Sequence, residues 1–262
     1  MRDTFENLNL PADESEPDPV KRAQKQMRAP LPKRFYANVE TCEAEGGGYM
    51  IQLDGRSLRT PAKSLLAVPS RALGEAIADE WRAQIDVIDP SRMPLTRIAN
   101  TAIDGVASDP QAVAEDIVRF SASDLLCYRA GEPEGLVARQ GEHWDPMIDW
   151  ARSALGARFM LAEGVIHVEQ PREAIAAFSA HVGRFSDPLQ LAAIHTMTTL
   201  TGSAILALAV ACGEISAEDA WKAAHVDEDW NIELWGEDAE AAGRRQKRWE
   251  EMKAAATAVS AL

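Results

Sequence analysis

Apolar positions follow no period through the first thirty residues, then repeat at two distinct periods. "RFYANVETCEA" gathers aromatic and β-branched residues, "EGGG" reads as a turn, and "YMIQLDGRSLRTPA" alternates into Asp54-Gly55, a strong hairpin signal. After "TPAKSLLAVPS" the period becomes helical. Ser70 is placed to cap a helix that carries Leu73, Ile77 and Trp81 on one side. "IDPSRMPLTRIANTAIDGVA" is a proline-broken link into another helix, Asp109-Pro110 starts the next, and "PEGLVARQGEHWDPMIDWARSALG" predicts a helix ending near Gly156. A short strand-like piece, "FMLAEGVIHV", precedes a helix over "QPREAIAAFSAHVGRF". "DPLQLAAIHTMTTLTGSAILALAVACG" is apolar almost all round and predicts one buried central helix stopped by Gly213. Ser216 and Asp219 form a capping box, and the last helix is expected to begin near Asp227 and run toward the C-terminus.

These elements predict an α+β protein with no internal repeat. An acidic, polar arm covers residues 1–30. A small β-rich N-terminal domain with one helix follows over 31–90, and a larger all-α domain over 91–262. A chain of 262 residues is long enough to bury a core without disulfide or metal staples.

Charge narrows the classes of partner. Asp and Glu number 41 against 27 Lys and Arg, a formal charge of -14. Such a chain repels phosphate backbones and anionic membranes, so nucleic acid is not expected and a charged partner is expected to be basic. The most apolar stretch, Ala204 to Cys212, is about half of the roughly 20 residues a bilayer demands, so no membrane insertion is expected. The N-terminus carries acids where a transit peptide carries arginines and lacks the apolar run of a signal peptide; the expected location is the cytoplasm. Cys42, Cys127 and Cys212 are scattered, and the five histidines form no metal-binding spacing, so neither a disulfide framework nor a metal is expected.

A search for chemistry finds no Rossmann, Walker or EF-hand pattern. "TLTGSA" around Ser203 resembles a nucleophile elbow, but it lies in the apolar run, where a hydroxyl bonds back to the backbone one turn earlier. "FSASDLLCYRA" collects Ser123, Asp124, Cys127, Tyr128 and Arg129. Helical spacing there puts Asp124 and Tyr128 on one side, as either a pocket lining or a hydrogen-bonded helix end.

The densest polar feature is "DEDWNIELWGEDAE", Asp227 to Glu240. On a continuous helix with Asp229 at zero, Glu233 falls near 40°, Glu237 near 80° and Glu240 near 20°, roughly one acidic face. Trp235 turns to the opposite, apolar side as a core anchor, while Trp230 at about 100° borders the acids as a candidate contact residue. Gly236, in mid-helix, marks close packing or a local break. The pattern alone leaves three readings open: a solvated face aided by a Glu240–Arg244 pair, a surface for a basic protein partner, or a metal-dependent or hydrolytic enzyme using the carboxylates.

Taken in order, "RFYANVE", "YMIQLDGRSLRTPA", "EWRAQ", "IDPSRMPLTRIANTAIDG", "SDLLCYRA", "WDPMIDWA", "TGSAILALA" and "DEDWNIELWGEDAE" resemble the assembly chaperones of the F-type ATP synthase catalytic sector. The resemblance spans about residues 33 to 245. It implies a non-enzyme without cofactors, acting as a monomer, that binds the unassembled alpha subunit and shields it until the beta subunit takes its place. Bacterial relatives would work in the cytoplasm and eukaryotic ones in the mitochondrial matrix. The family's acidic-aromatic C-terminal motif falls on Asp227 to Glu240. The expected partner-binding residues are therefore Asp229, Trp230, Glu233, Glu237 and Glu240, with Glu240 as the leading acid, and the expected structural anchors are Trp81, Trp235 and Gly236.

Overall fold

The computed structural model describes residues 30–164 and 167–261. The acidic arm expected over residues 1–30 lies outside the described residues apart from Pro30. The architecture is α+β, and the chain divides into two compact units between Gly105 and Val106.

The first unit is built on an antiparallel sheet. β1 (Val39–Glu43) pairs with β2 (Tyr49–Leu53) in the register Val39 to Leu53, and β2 also pairs with β3 (Arg56–Ser57) and with β4 (Ala67–Val68). The Asp54-Gly55 turn forms as the sequence predicts, with both residues at the positive φ a two-residue hairpin demands. α1 (Arg71–Arg82) packs on β1 and β2. Ser70 caps it, and Leu73, Ile77 and Trp81 are all buried, so Trp81 is the anchor expected. The Tyr36 hydroxyl donates to the Trp81 carbonyl at 2.7 Å, closing the far side of that core.

α2 (Pro94–Asp104) ends the unit, and no side chain of its own caps it. Glu80, from α1, does so instead. Its carboxylate accepts from the Leu95 amide at 2.7 Å and from the Thr96 amide and hydroxyl at 2.8 and 2.7 Å. A carboxylate on the exposed amides of a helix start satisfies orphan donors and suits the helix dipole.

The second unit is helical. Its elements are α3 (Pro110–Ser121), α4 (Glu134–Ala154), α5 (Arg172–Val182), α6 (Pro188–Thr201), α7 (Ala204–Ala211), α8 (Ala217–Ala224), α9 (Val226–Trp235) and α10 (Ala239–Ser260). Asp109 caps α3 and the Ser216–Asp219 box caps α8, both as expected. The predicted central helix is two helices. Gly202 adopts φ 70 and ends α6, and Ser203 caps α7 by accepting from the Leu206 amide. Ser203 is therefore a cap and not the back-bonded helical hydroxyl expected; Thr198 and Thr201 make those bonds, to the carbonyls of Ile194 and Met197. α7 is buried from Ala204 to Val210 and packs against α3, α4, α6, α8 and α10.

Two further expectations change. "SDLLCYRA" is not a helix but a tight turn over Leu125–Cys127 followed by β5 (Tyr128–Arg129). The predicted strand after α4 reduces to β6 (Ala162–Glu163), parallel to β5, among the described residues.

Asp124 explains the turn. It is wholly buried, and its two oxygens accept from the Leu126 amide at 3.1 Å and the Ile205 amide at 3.0 Å, joining positions 81 residues apart in sequence. Burial raises its carboxyl from the ordinary 3.8 to about 6, against the pull of the amides that favour the ionised form. The folded chain thus holds this proton over a range in which the unfolded chain has released it. The contribution to stability falls as pH climbs from 3.8 to about 6. Asp124→Ala strands two buried amides and is expected to cost about 1–3 kcal/mol in urea unfolding. Across the same pH range the stability of the wild type relative to Asp124→Asn should decline; a flat difference would show that the carboxyl is not titrating in a buried place.

Candidate functional site

The acidic-aromatic segment does not form one helix. α9 stops at Trp235 because Gly236 takes φ 88 and ψ 164, a conformation open essentially to glycine alone. Asp238 then caps α10 by accepting from the Ala241 amide at 2.7 Å. Gly236 is the local break, and a Cβ there would meet nothing within 4 Å, so backbone conformation and not crowding selects glycine. The helical projection across residues 229 to 240 consequently fails, and Glu237 and Glu240 leave the face of Asp229 and Glu233.

Most of the expected acids are occupied within the unit. Glu233 takes a two-pronged hydrogen bond from Arg139 of α4, at 2.8 and 2.9 Å, and that bond holds its carboxyl below the usual glutamate value. Asp229 pairs with Arg245 of α10, and Glu240 with Arg244, the one-turn pair the sequence predicts. Asp227 accepts from Gln140 at 2.7 Å. Glu237 makes no hydrogen bond or ion pair among the described residues and acts on Arg245 only through its field. These ion pairs are partly or largely exposed, so each adds little stability, and the Arg139–Glu233 and Arg245–Asp229 pairs tie α9 to its two neighbours.

The two tryptophans exchange the roles expected of them. Trp230 is half-buried against α4: its ring edge lies where a Cβ at Gly135 would come within 2.7 Å, and the Arg139 guanidinium sits 5.3 Å from its ring centroid. Trp235, expected in the core, is 83% exposed beside Leu234 at 57%. The apolar face assigned to Trp235 presumed a helix continuing past Gly236; as the last residue of α9 it instead projects from the helix end. Ile232, Trp235, Glu237, Asp238, Ala242 and Arg245 line a groove of about 490 Å³ between the end of α9 and the start of α10.

Sequence reasoning missed Gly135, Arg139, Arg245 and Leu234. A glycine after the last periodic residue, followed within two positions by a capping aspartate, is a stop-and-start signal that was present in "WGED". The "SDLLCYRA" polar set is likewise committed. Asp124 caps, burial pushes the Cys127 thiol up to about 12, and Arg129 pairs with Asp145 at 2.7 Å. Cys42, Cys127 and Cys212 are free thiols. Among the described residues no three His, Cys, Asp or Glu are grouped to hold a metal, and no helix is long and apolar enough to cross a membrane.

The segment thus presents an exposed apolar tip, Leu234 and Trp235, beside a groove lined by Glu237 and Asp238. Residues 33–152 match the family described as ATP12 chaperone protein. The chain is 60% identical to the Atu1473 protein of Agrobacterium tumefaciens, with a TM-score of 0.85 over 94% of this chain and 92% of that one. It is 43% identical to Atp12 from Paracoccus denitrificans, with a TM-score of 0.80 over 87% of this chain and 97% of that one. The chain belongs to the ATP12 chaperone family. A more distant member, the mitochondrial protein atp12 of Schizosaccharomyces pombe, is 25% identical over 224 residues, 79% of this chain and 76% of that protein. The family model matches residues 33–152, and the solved relatives extend the likeness to 87–94% of the chain.

The close fit of Trp230 over Gly135 yields a test. Alanine is ordinarily better than glycine in a helix by about 1 kcal/mol. Gly135→Ala should nevertheless lower the melting temperature because the new methyl displaces the indole, and the same change made in Trp230→Ala should be neutral or raise it. A melting temperature raised by Gly135→Ala in the otherwise native chain would show that Trp230 is not seated there.

Proposed function

We propose that this chain is an assembly chaperone for the catalytic sector of the F-type ATP synthase, and that it binds the unassembled alpha subunit until the beta subunit replaces it. The observation that carries this reading is the likeness to Atp12 proteins over almost the full chain, joined to the resemblance of its ordered motifs to that chaperone family. The alpha subunit alone exposes the apolar surface it will bury against its neighbour, and such surface aggregates or pairs with itself. A protein that binds only the unassembled form stabilises it by mass action and yields when the native neighbour competes. That task uses shape, an apolar anchor and complementary charge, with no turnover of a small molecule. We place it in the cytoplasm, acting as a monomer, and the relatives from Agrobacterium and Paracoccus support a bacterial setting.

The contact surface on this reading is the Asp227–Glu240 segment. Asp229, Trp230 and Glu233 position α9 between α4 and α10, while Glu237 and Glu240 lie at the exposed end. The purified chain should suppress aggregation of isolated alpha subunit without added nucleotide. Glu240→Lys should weaken that suppression several-fold while shifting the melting temperature little, since its pair with Arg244 is solvent-exposed and exposed pairs are worth about 0–1 kcal/mol. Absence of binding between the wild-type chain and alpha subunit at low salt would overturn the assignment.

A further inference from the structure

We propose that the groove between α9 and α10 seats a client segment in which one apolar side chain is followed closely by a lysine or arginine. Trp235 and Leu234 form the apolar anchor, and Glu237 receives the cation. This deepens the client-binding reading above and rests on it.

Exposure makes the first part of the case. Trp235 and Leu234 are adjacent, 83% and 57% exposed, and no aromatic ring packs on Trp235 among the described residues. An indole and an isobutyl group side by side in water form an unpaid apolar surface, and tryptophan is the residue most enriched among side chains that carry binding energy. The floor beside them is apolar, from Ile232 and Ala242, and the groove's volume of about 490 Å³ admits a side chain or a short turn of peptide.

Charge makes the second part. The cation in the groove wall, Arg245, is already neutralised by Asp229. Glu237 has no ion partner among the described residues, and one oxygen of Asp238 is taken by its cap bond while the rest of that carboxylate faces the same opening. The groove therefore carries net negative charge next to its apolar anchor. The whole chain adds to that field at -14. A cationic segment is attracted, while phosphate surfaces and a second copy presenting the same acids are repelled.

Rigidity makes the third part. α9 is fixed by Arg139 to Glu233, Gln140 to Asp227 and Trp230 over Gly135, and α10 by its packing on α6. Both walls are in place before anything binds, so little ordering cost falls on association.

The test measures the affinity of the full chain for isolated alpha subunit at low and moderate salt. Trp235→Ala should weaken binding by at least about tenfold at both. Glu237→Gln should weaken it a few-fold at low salt and flatten the salt dependence. Neither should move the melting temperature, because both side chains are exposed. If the wild type binds alpha subunit and both variants bind it equally well, the groove is not the seat and the chaperone reading stands without it. If the wild type does not bind alpha subunit at all, the chaperone reading falls and takes this occupant with it. Two other results would assign the groove elsewhere and overturn the proposal: a concentration-dependent dimer abolished by Trp235→Ala, or a tenfold gain in alpha binding on deleting residues 1–29, whose "KRAQKQMR" stretch would then be the resident cation.

Discussion

Asp124 has no contact with water, yet its two oxygens bind the turn after α3 to the first amides of α7, across 81 residues of chain. α7 is the segment every helix around it packs against, and its start would otherwise present unsatisfied donors inside an apolar core. The carboxylate therefore sets where α7 begins and in which direction it runs. The cost appears in the raised proton affinity, and the return is a fixed register between helices that apolar packing alone would hold loosely. Glu80 repeats the device in the first unit, reaching from α1 to begin α2. In both units an acid supplied by one element starts another.

Local chemistry was readable wherever it was self-contained. Ser70, Asp109 and the Ser216–Asp219 box cap the helices they precede, and Asp54-Gly55 turns the hairpin, because each bond closes within three residues. The long apolar run from Pro188 was misread as one helix for a physical reason. α6 and α7 are both buried, so hydrophobicity continues without a change of period through Gly202, where the chain turns. Periodicity reports which side faces water; it is silent where no side does.

The acidic-aromatic segment shows the complementary limit. It stands out in the sequence by its crowded acids and by the family resemblance, but the partner of each acid is not legible there. Glu233 answers to Arg139, 94 positions earlier, and Asp229 to Arg245, 16 positions later, and neither spacing announces itself in the sequence. Once Gly236 breaks the helix, the same two tryptophans exchange environments. Trp230 is held because α4 offers a glycine beneath it, and Trp235 is released because α9 ends at its own Cα.

That division of labour suits a chaperone better than an acidic stripe would. A holdase must bind tightly enough to prevent aggregation and loosely enough to lose to the native neighbour. Four unpaired carboxylates on one face would repel one another, bind cationic surface indiscriminately and fade with salt. With Asp229 and Glu233 neutralised by Arg245 and Arg139, the charge of α9 is used to hold that helix in place, and the exposed tip is reduced to one tryptophan, one leucine and the acids from Glu237 to Glu240. A contact that small gains specificity from its fixed geometry and cannot bury enough surface to resist displacement by a full subunit interface. On the client-binding reading, release then follows from the difference in interface size alone, without an energy source acting on the chaperone.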